Sequence, residues 1–208
     1  MNAWKHFRTI THHRHLVLKG CFELGLYKQG LLHDLSKYMP SEFLVGCKYY
    51  QGTMSPNNAE RVARGYSSAW LHHKGRNKHH MEYWIDYGVS RGEDGREEHR
   101  GICGMKMPIR YVVEMYVDRM SASKNYRKDE YTDRCPLDYY LHGMKYYILH
   151  EDTQALLELL LYMLAAKGQE HVKGFIRNEL LKGRVPYERE ALRQMTQPYL
   201  PEGVQLNP

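Results

Sequence analysis

Apolar residues recur at helical spacing along almost the whole 208-residue chain, and that periodicity excludes most β architectures before any motif is considered. Alternating β-branched runs are missing, and the one Asp-Gly pair, Asp94-Gly95, lies in a charged stretch over 88–107 that holds five glycines. The chain therefore reads as all-α. Proline and glycine punctuation places helices over 11–26, 31–37, 41–50, 55–73, 78–87, 108–124 and 136–147, then a C-terminal helical pair over 153–167 and 170–182 separated by Gly168. Gly65 and Gly75 are points where the 55–73 helix and its continuation can bend. The 88–107 stretch is expected to be an exposed loop able to act as a lid. One domain over 1–183 is expected, followed by an extended tail over 184–208 that carries Pro186, Pro198, Pro201 and Pro208.

No run of about 18 apolar residues is present, and the opening Met1-Asn-Ala-Trp-Lys-His-Phe-Arg has no apolar segment of the secretory kind. A soluble, cytoplasmic protein without a membrane partner is expected. Cys21, Cys47, Cys103 and Cys135 form no C-x-x-C pair, which points to reduced structural thiols and away from a zinc ribbon. The formal charge of +6 suits a polyanion, a nucleotide or simply a soluble basic surface, and charge alone does not choose. More informative are the thirteen histidines, because ten of them fall in the first 100 residues and several are clustered.

An imidazole beside a carboxylate, as in His33-Asp34, can supply a neutral nitrogen and an oxygen able to bridge two ions. Upstream, His13 shares a helix face with Val17, Gly20, Cys21 and Leu24, whereas His12 and His15 project away from it. The densest group is Trp70-Leu-His-His-Lys-Gly-Arg-Asn-Lys-His-His-Met-Glu-Tyr-Trp84. On a continuous helix His73, Asn77 and His80 would share one face; with a break at Gly75 the pairing differs, and His79 then competes with His80. His72 is placed to hydrogen-bond or to meet substrate. Lys74, Arg76 and Lys78 between these histidines could neutralise phosphate, or simply form a solvated face. Farther on, Glu114 and Asp118 form an i,i+4 carboxylate lane on an otherwise apolar helix, and buried carboxylates need a cation. A plain salt bridge to Arg110, Arg119 or Lys124 is the other reading.

Leu31-Leu-His-Asp-Leu-Ser-Lys37 resembles the signature of the HD superfamily of metal-dependent phosphohydrolase-like proteins. Trp70-x-x-His73-x-x-x-Asn77-x-His79-His80 is similar to the pattern of a smaller HD-like family. The resemblance covers roughly residues 11–124. It implies an HD-type helical bundle and an ordered ligand set of His, His-Asp, two further histidines in two-metal branches, and a distant Asp. In this chain that order is met by His13, in a His-x-x-x-Val pattern, by His33 and Asp34, by His73 and His80, and by Asp118. His79, His72, Asn77 and Glu114 are the supporting or alternative residues.

These readings converge on a metal-dependent phosphohydrolase. One or two divalent ions (Mn, Fe, Co or Mg) would activate water toward a nucleotide or other small phosphate ester, with Asp34, Lys37, Lys74 and Arg76 serving the reaction. Two other classes fit the same residues: a di-iron oxygenase similar to myo-inositol oxygenase, and a non-catalytic module binding metal or nucleic acid.

Overall fold

The structure, a computed structural model, describes residues 2–92 and 95–206. Among these residues it is mostly helical, with nine α-helices, several short 3₁₀ turns and one two-stranded antiparallel sheet. The chain divides into two compact units. One comprises the described residues up to Lys78 with Val117–Thr132; the other comprises His79–Tyr116 and the described residues from Asp133 onward. No helix among the described residues is long and apolar enough to cross a membrane.

In the first unit, α1 (Ala3–Glu23) buries His6, Ile10, His13, Val17 and Cys21. Steps of three and four keep that stripe on one side of the helix. The helix starts well before residue 11, because His6 takes the inward position that an apolar residue would ordinarily mark. Gly30 on α2 (Tyr27–Leu32) approaches α1 so closely that a Cβ would stand 3.0 Å from Cys21 Cβ. Pro40 opens α3 (Pro40–Tyr49), where its missing N–H would have had no helical partner.

The single helix expected over 55–73 is two helices, α4 (Pro56–Arg64) and α5 (Ser68–Lys74), because Gly65 closes α4 at a left-handed φ of 81°. Ser67 then caps α5, accepting the Trp70 N–H at 3.1 Å. Glu60 locks this joint: its fully buried carboxylate accepts from Arg64, Ser67 and Ser68 at 2.9, 2.7 and 2.7 Å. Three donors offset the cost of burying that charge. Helix α6 (Ile109–Arg127) contributes its residues from Val117 to this unit.

Residues 78–87 do not form the expected helix. A 3₁₀ turn (Met81–Trp84) leads into β1 (Ile85–Arg91), which pairs antiparallel with β2 (Glu97–Gly104). The expected lid loop over 88–107 is therefore largely a hairpin. Its strands are mostly exposed and carry no apolar alternation, so periodicity does not reveal them. Cross-strand pairing holds them instead, with Arg91 opposite Glu97 and an irregularity between Gly88 and Val89. Asp94 of the Asp94-Gly95 pair lies outside the described residues, as do Asn207 and Pro208 at the end of the expected tail.

Helix α8 (Glu151–Asn178) is buried all round from Ala155 to Leu164, as the central helix of a unit must be. Gly168, at φ 78° and ψ 173°, interrupts it where the sequence separates two helices. Helices α7 (Cys135–Gly143) and α9 (Arg189–Thr196) lie against α8. The expected extended tail thus contains a helix, whose Leu192 is fully buried; Pro186 and Pro198 flank it and leave its interior free of proline. Tyr187 fastens this segment, donating its hydroxyl to the Met107 carbonyl at 2.7 Å while its own carbonyl accepts Lys106 Nζ at 2.6 Å.

Candidate metal centre

His33 and Asp34 occupy a corner between α2 and a 3₁₀ turn (Leu35–Tyr38), not the interior of the helix expected over 31–37. Asp34 takes a left-handed backbone conformation, φ 55° and ψ 22°. Such a conformation costs most L-residues roughly 1–2 kcal/mol, and Asp and Asn adopt it more readily than others. Arg14 braces the corner from α1. Its Nε donates to the His33 carbonyl at 3.1 Å and its Nη2 to the Leu31 carbonyl at 2.6 Å. One turn of α1 therefore supplies both the brace and the neighbouring His13.

Four side chains converge here. His13 Nε2 lies 2.9 Å from Asp118 Oδ1 and 3.8 Å from Asp34 Oδ2. His33 Nε2 lies 3.3 Å from Asp34 Oδ2 and 3.6 Å from Asp118 Oδ1. Atoms that share a metal at about 2.0–2.2 Å stand roughly 3–3.5 Å from one another, so this spacing fits a first-row divalent ion. The donor set, two imidazole nitrogens and two carboxylates, has the mixed N/O character that such ions take. Asp34 also faces a fifth group: its Oδ1 lies 3.1 Å from His73 Nε2. The side chains of His33, Asp34 and His73 are almost completely buried, while Asp118 is 16% exposed and Lys37 27%.

Charge compensation is tight. Burial pushes the Asp34 carboxyl up, but His33, Lys37 and His73 outweigh burial and hold it well below the usual range. Asp118 behaves alike, with hydrogen bonds from His13 and His33 overcoming burial. Burial lowers the pKa of His13 despite the nearby carboxylates, which favours the neutral ring, the form able to bind a metal. For His73 burial is outweighed by Asp34 and Glu42, and its pKa rises. Lys37 Nζ, 2.6 Å from Asp34 Oδ2, is kept protonated by Asp34 and Asp118 against the pull of burial.

His13 lies on the buried face of α1, as its periodicity predicts, whereas His12 and His15 are exposed and His12 instead meets Asn125 Oδ1 at 2.8 Å. His73 joins the cluster, but not through a continuous helix, because α5 stops at Lys74 and Gly75 caps it. Asn77 is buried beside His73 and donates to its carbonyl at 2.8 Å and to Ser36 Oγ at 2.9 Å. Lys74 is half-buried; Arg76 is exposed and donates to the His72 carbonyl at 3.0 Å. His79, His80 and Glu114 belong to the second unit. There His79 is buried, its Nδ1 3.1 Å from Glu114 Oε1, and its ring centre is 4.1 Å from that of the half-buried His80.

Sequence reasoning missed Glu42, Ser36 and Arg14. Glu42 sits in the first turn of α3, where a carboxylate is expected merely to favour the helix N-terminus. Its two oxygens instead accept from His72 Nδ1 at 2.6 Å and His73 Nδ1 at 2.7 Å. The available signal was its position nine residues after His33, on the helix that Pro40 starts.

A family model described as a family of unknown function (DUF5662) matches residues 2–163. The chain belongs to this family. No curated protein and no solved structure matches it. The DUF5662 match spans His13, His33, Asp34, Glu42, His73 and Asp118, so the whole cluster lies within the matched part of the chain.

Proposed function

We propose that this DUF5662 protein is a cytoplasmic, metal-dependent phosphohydrolase of the HD type, acting on a nucleotide or another small phosphate ester. The observation that carries the reading is the spacing of the His13, His33, Asp34 and Asp118 donor atoms, 2.9 to 3.8 Å apart, in a largely buried cluster. The order in which they occur, a histidine on α1, His-Asp at a corner, a histidine on α5 and an aspartate on α6, supports an HD-type bundle for the first unit.

His13, His33, Asp34 and Asp118 would hold the ion. A bound divalent ion lowers the pKa of coordinated water and polarises a phosphoryl oxygen. Asp34 presents Oδ2 toward His13 and His33 and Oδ1 toward His73, an arrangement suited to a carboxylate shared by two ions. Lys37 places an ammonium beside Asp34, where it would offset charge on a phosphate group. Arg14 and the left-handed Asp34 backbone keep the corner from relaxing.

The test is metal analysis of the purified protein, with anomalous diffraction to assign ligands. Mn²⁺, Fe²⁺, Co²⁺ and Mg²⁺ forms are then assayed against phosphomonoesters, cyclic nucleotides and dinucleotides. Phosphate or nucleotide release that disappears in Asp34→Ala supports the reading. No release with any metal form rejects hydrolysis, and two bound irons with oxygen consumption assign the site to oxygenase chemistry instead.

A further inference from the structure

Glu42 is 5% exposed, and both its oxygens are occupied by adjacent histidines of one helix. A carboxylate held that way can decide which ring nitrogen of each imidazole carries the proton. The surrounding hydrogen bonds give the direction. Asn77 Nδ2 is a donor only, and it donates to Ser36 Oγ at 2.9 Å. Ser36 Oγ also lies 3.1 Å from His73 Nδ1, a contact in which the hydroxyl oxygen accepts when Nδ1 carries the proton. An ionised carboxylate only accepts. His73 Nδ1, 2.7 Å from Glu42 Oε2, must therefore carry its ring's proton, and in the neutral ring Nε2 is a bare lone pair. That Nε2 lies 3.1 Å from Asp34 Oδ1.

We infer that Glu42 is a positioning residue that fixes His73 in its Nδ1–H tautomer and aims Nε2 at the Asp34 side of the centre as a ready metal ligand. This rests on reading the centre as a metal site. His72 is part of the device: by holding Oε1 it prevents Glu42 from rotating away from His73. Glu42 meets the centre through His73, whose other ring nitrogen faces Asp34. A ligating histidine whose other nitrogen is held by a carboxylate is a stiffer and more basic ligand, and loss of such a partner typically weakens metal binding 10–100-fold.

Glu42→Gln separates the roles, because a glutamine offers one acceptor oxygen and one donor amide where two donors now meet two acceptors. One of the two imidazoles must then expose a bare Nδ1. Two measurements decide the matter. Nitrogen-15 NMR of the metal-free wild-type protein, recorded with His73 neutral, is expected to show the Nδ1–H tautomer; an Nε2–H ring overturns the inference without recourse to any variant. Co²⁺ titration is expected to show 10–100-fold weaker binding in Glu42→Gln, with the metal-free melting temperature as the control for folding; affinity equal to wild type overturns it. If wild-type protein takes up no Co²⁺, the metal reading fails, while the NMR result still decides whether Glu42 sets the tautomer.

Discussion

Gly20 of α1 faces Val117 of α6 so closely that a Cβ at position 20 would stand 2.7 Å from Val117 Cγ1. The contact sets the separation of the two helices one residue from Asp118 and two turns from His13. The 2.9 Å approach of His13 to Asp118 depends on it. Gly20→Ala is therefore expected to lower stability by about 1–3 kcal/mol through overpacking, against a helix propensity that by itself favours alanine by about 1 kcal/mol. Metal affinity should fall with it. Urea unfolding and Co²⁺ titration check both, and a stabilised variant with unchanged affinity would show that the helices can part without disturbing the site.

A second close approach involves Gly46 on α3, whose missing Cβ leaves room for the His6 ring. Gly46→Ala is expected to cost about 1–3 kcal/mol. Adding His6→Ala should recover much of that loss. A double-mutant cycle by chemical denaturation gives the coupling, and additive effects would mean that the ring is not what the new methyl group meets.

His6 also predicts a pH dependence. Burial lowers its pKa from 6.5 to about 4, with Lys37 adding to the shift. Above pH 6.5 the ring is neutral in folded and unfolded chains, so the full stability is present. As pH falls from 6.5 toward 4 the unfolded chain takes up a proton that the folded one refuses, and stability declines. At full extent the loss is roughly 3 kcal/mol. Stability curves of wild type and His6→Leu should diverge over this interval and run parallel below it; curves parallel from pH 7 to 4 would contradict the assignment.

Arg14 offers a test of the corner that is independent of the ligands. Arg14→Lys keeps a charge but cannot donate from a guanidinium fork to both the Leu31 and His33 carbonyls. We expect a loss of about 1–3 kcal/mol from the unpaired carbonyls and weaker metal uptake, although the bonds Arg14 donates here go to backbone carbonyls. Calorimetry with and without Co²⁺ distinguishes the two effects, and metal uptake equal to wild type would place the brace outside the site.

Much of the first unit is readable from residue order because its helices carry one-sided stripes. The inward stripe of α1 selects His13 from three candidates on geometry alone. The hairpin is not readable in that way, since strands exposed on both faces need no apolar alternation and resemble a charged loop. His73 is found by its surroundings although its helix is shorter than periodicity suggests: Gly75 ends α5, and a turn, not a helix face, leads on to Asn77. Glu42 is hidden for a different reason. A glutamate in a first helical turn is ordinary, and its importance lies in partners thirty residues away that no local pattern announces.

The left-handed backbone at Asp34 has a consequence for which acids this position can accept. Glutamate offers the same carboxylate and an equal charge, but its longer side chain has little tendency to settle at positive φ, whereas aspartate does so readily. Asparagine and glycine suit the backbone and lack the charge. Aspartate alone among the four satisfies both demands, so relatives that keep this corner while changing the acid should be rare, and those that replace it with glycine or asparagine should keep the turn and lose the carboxylate that could hold an ion.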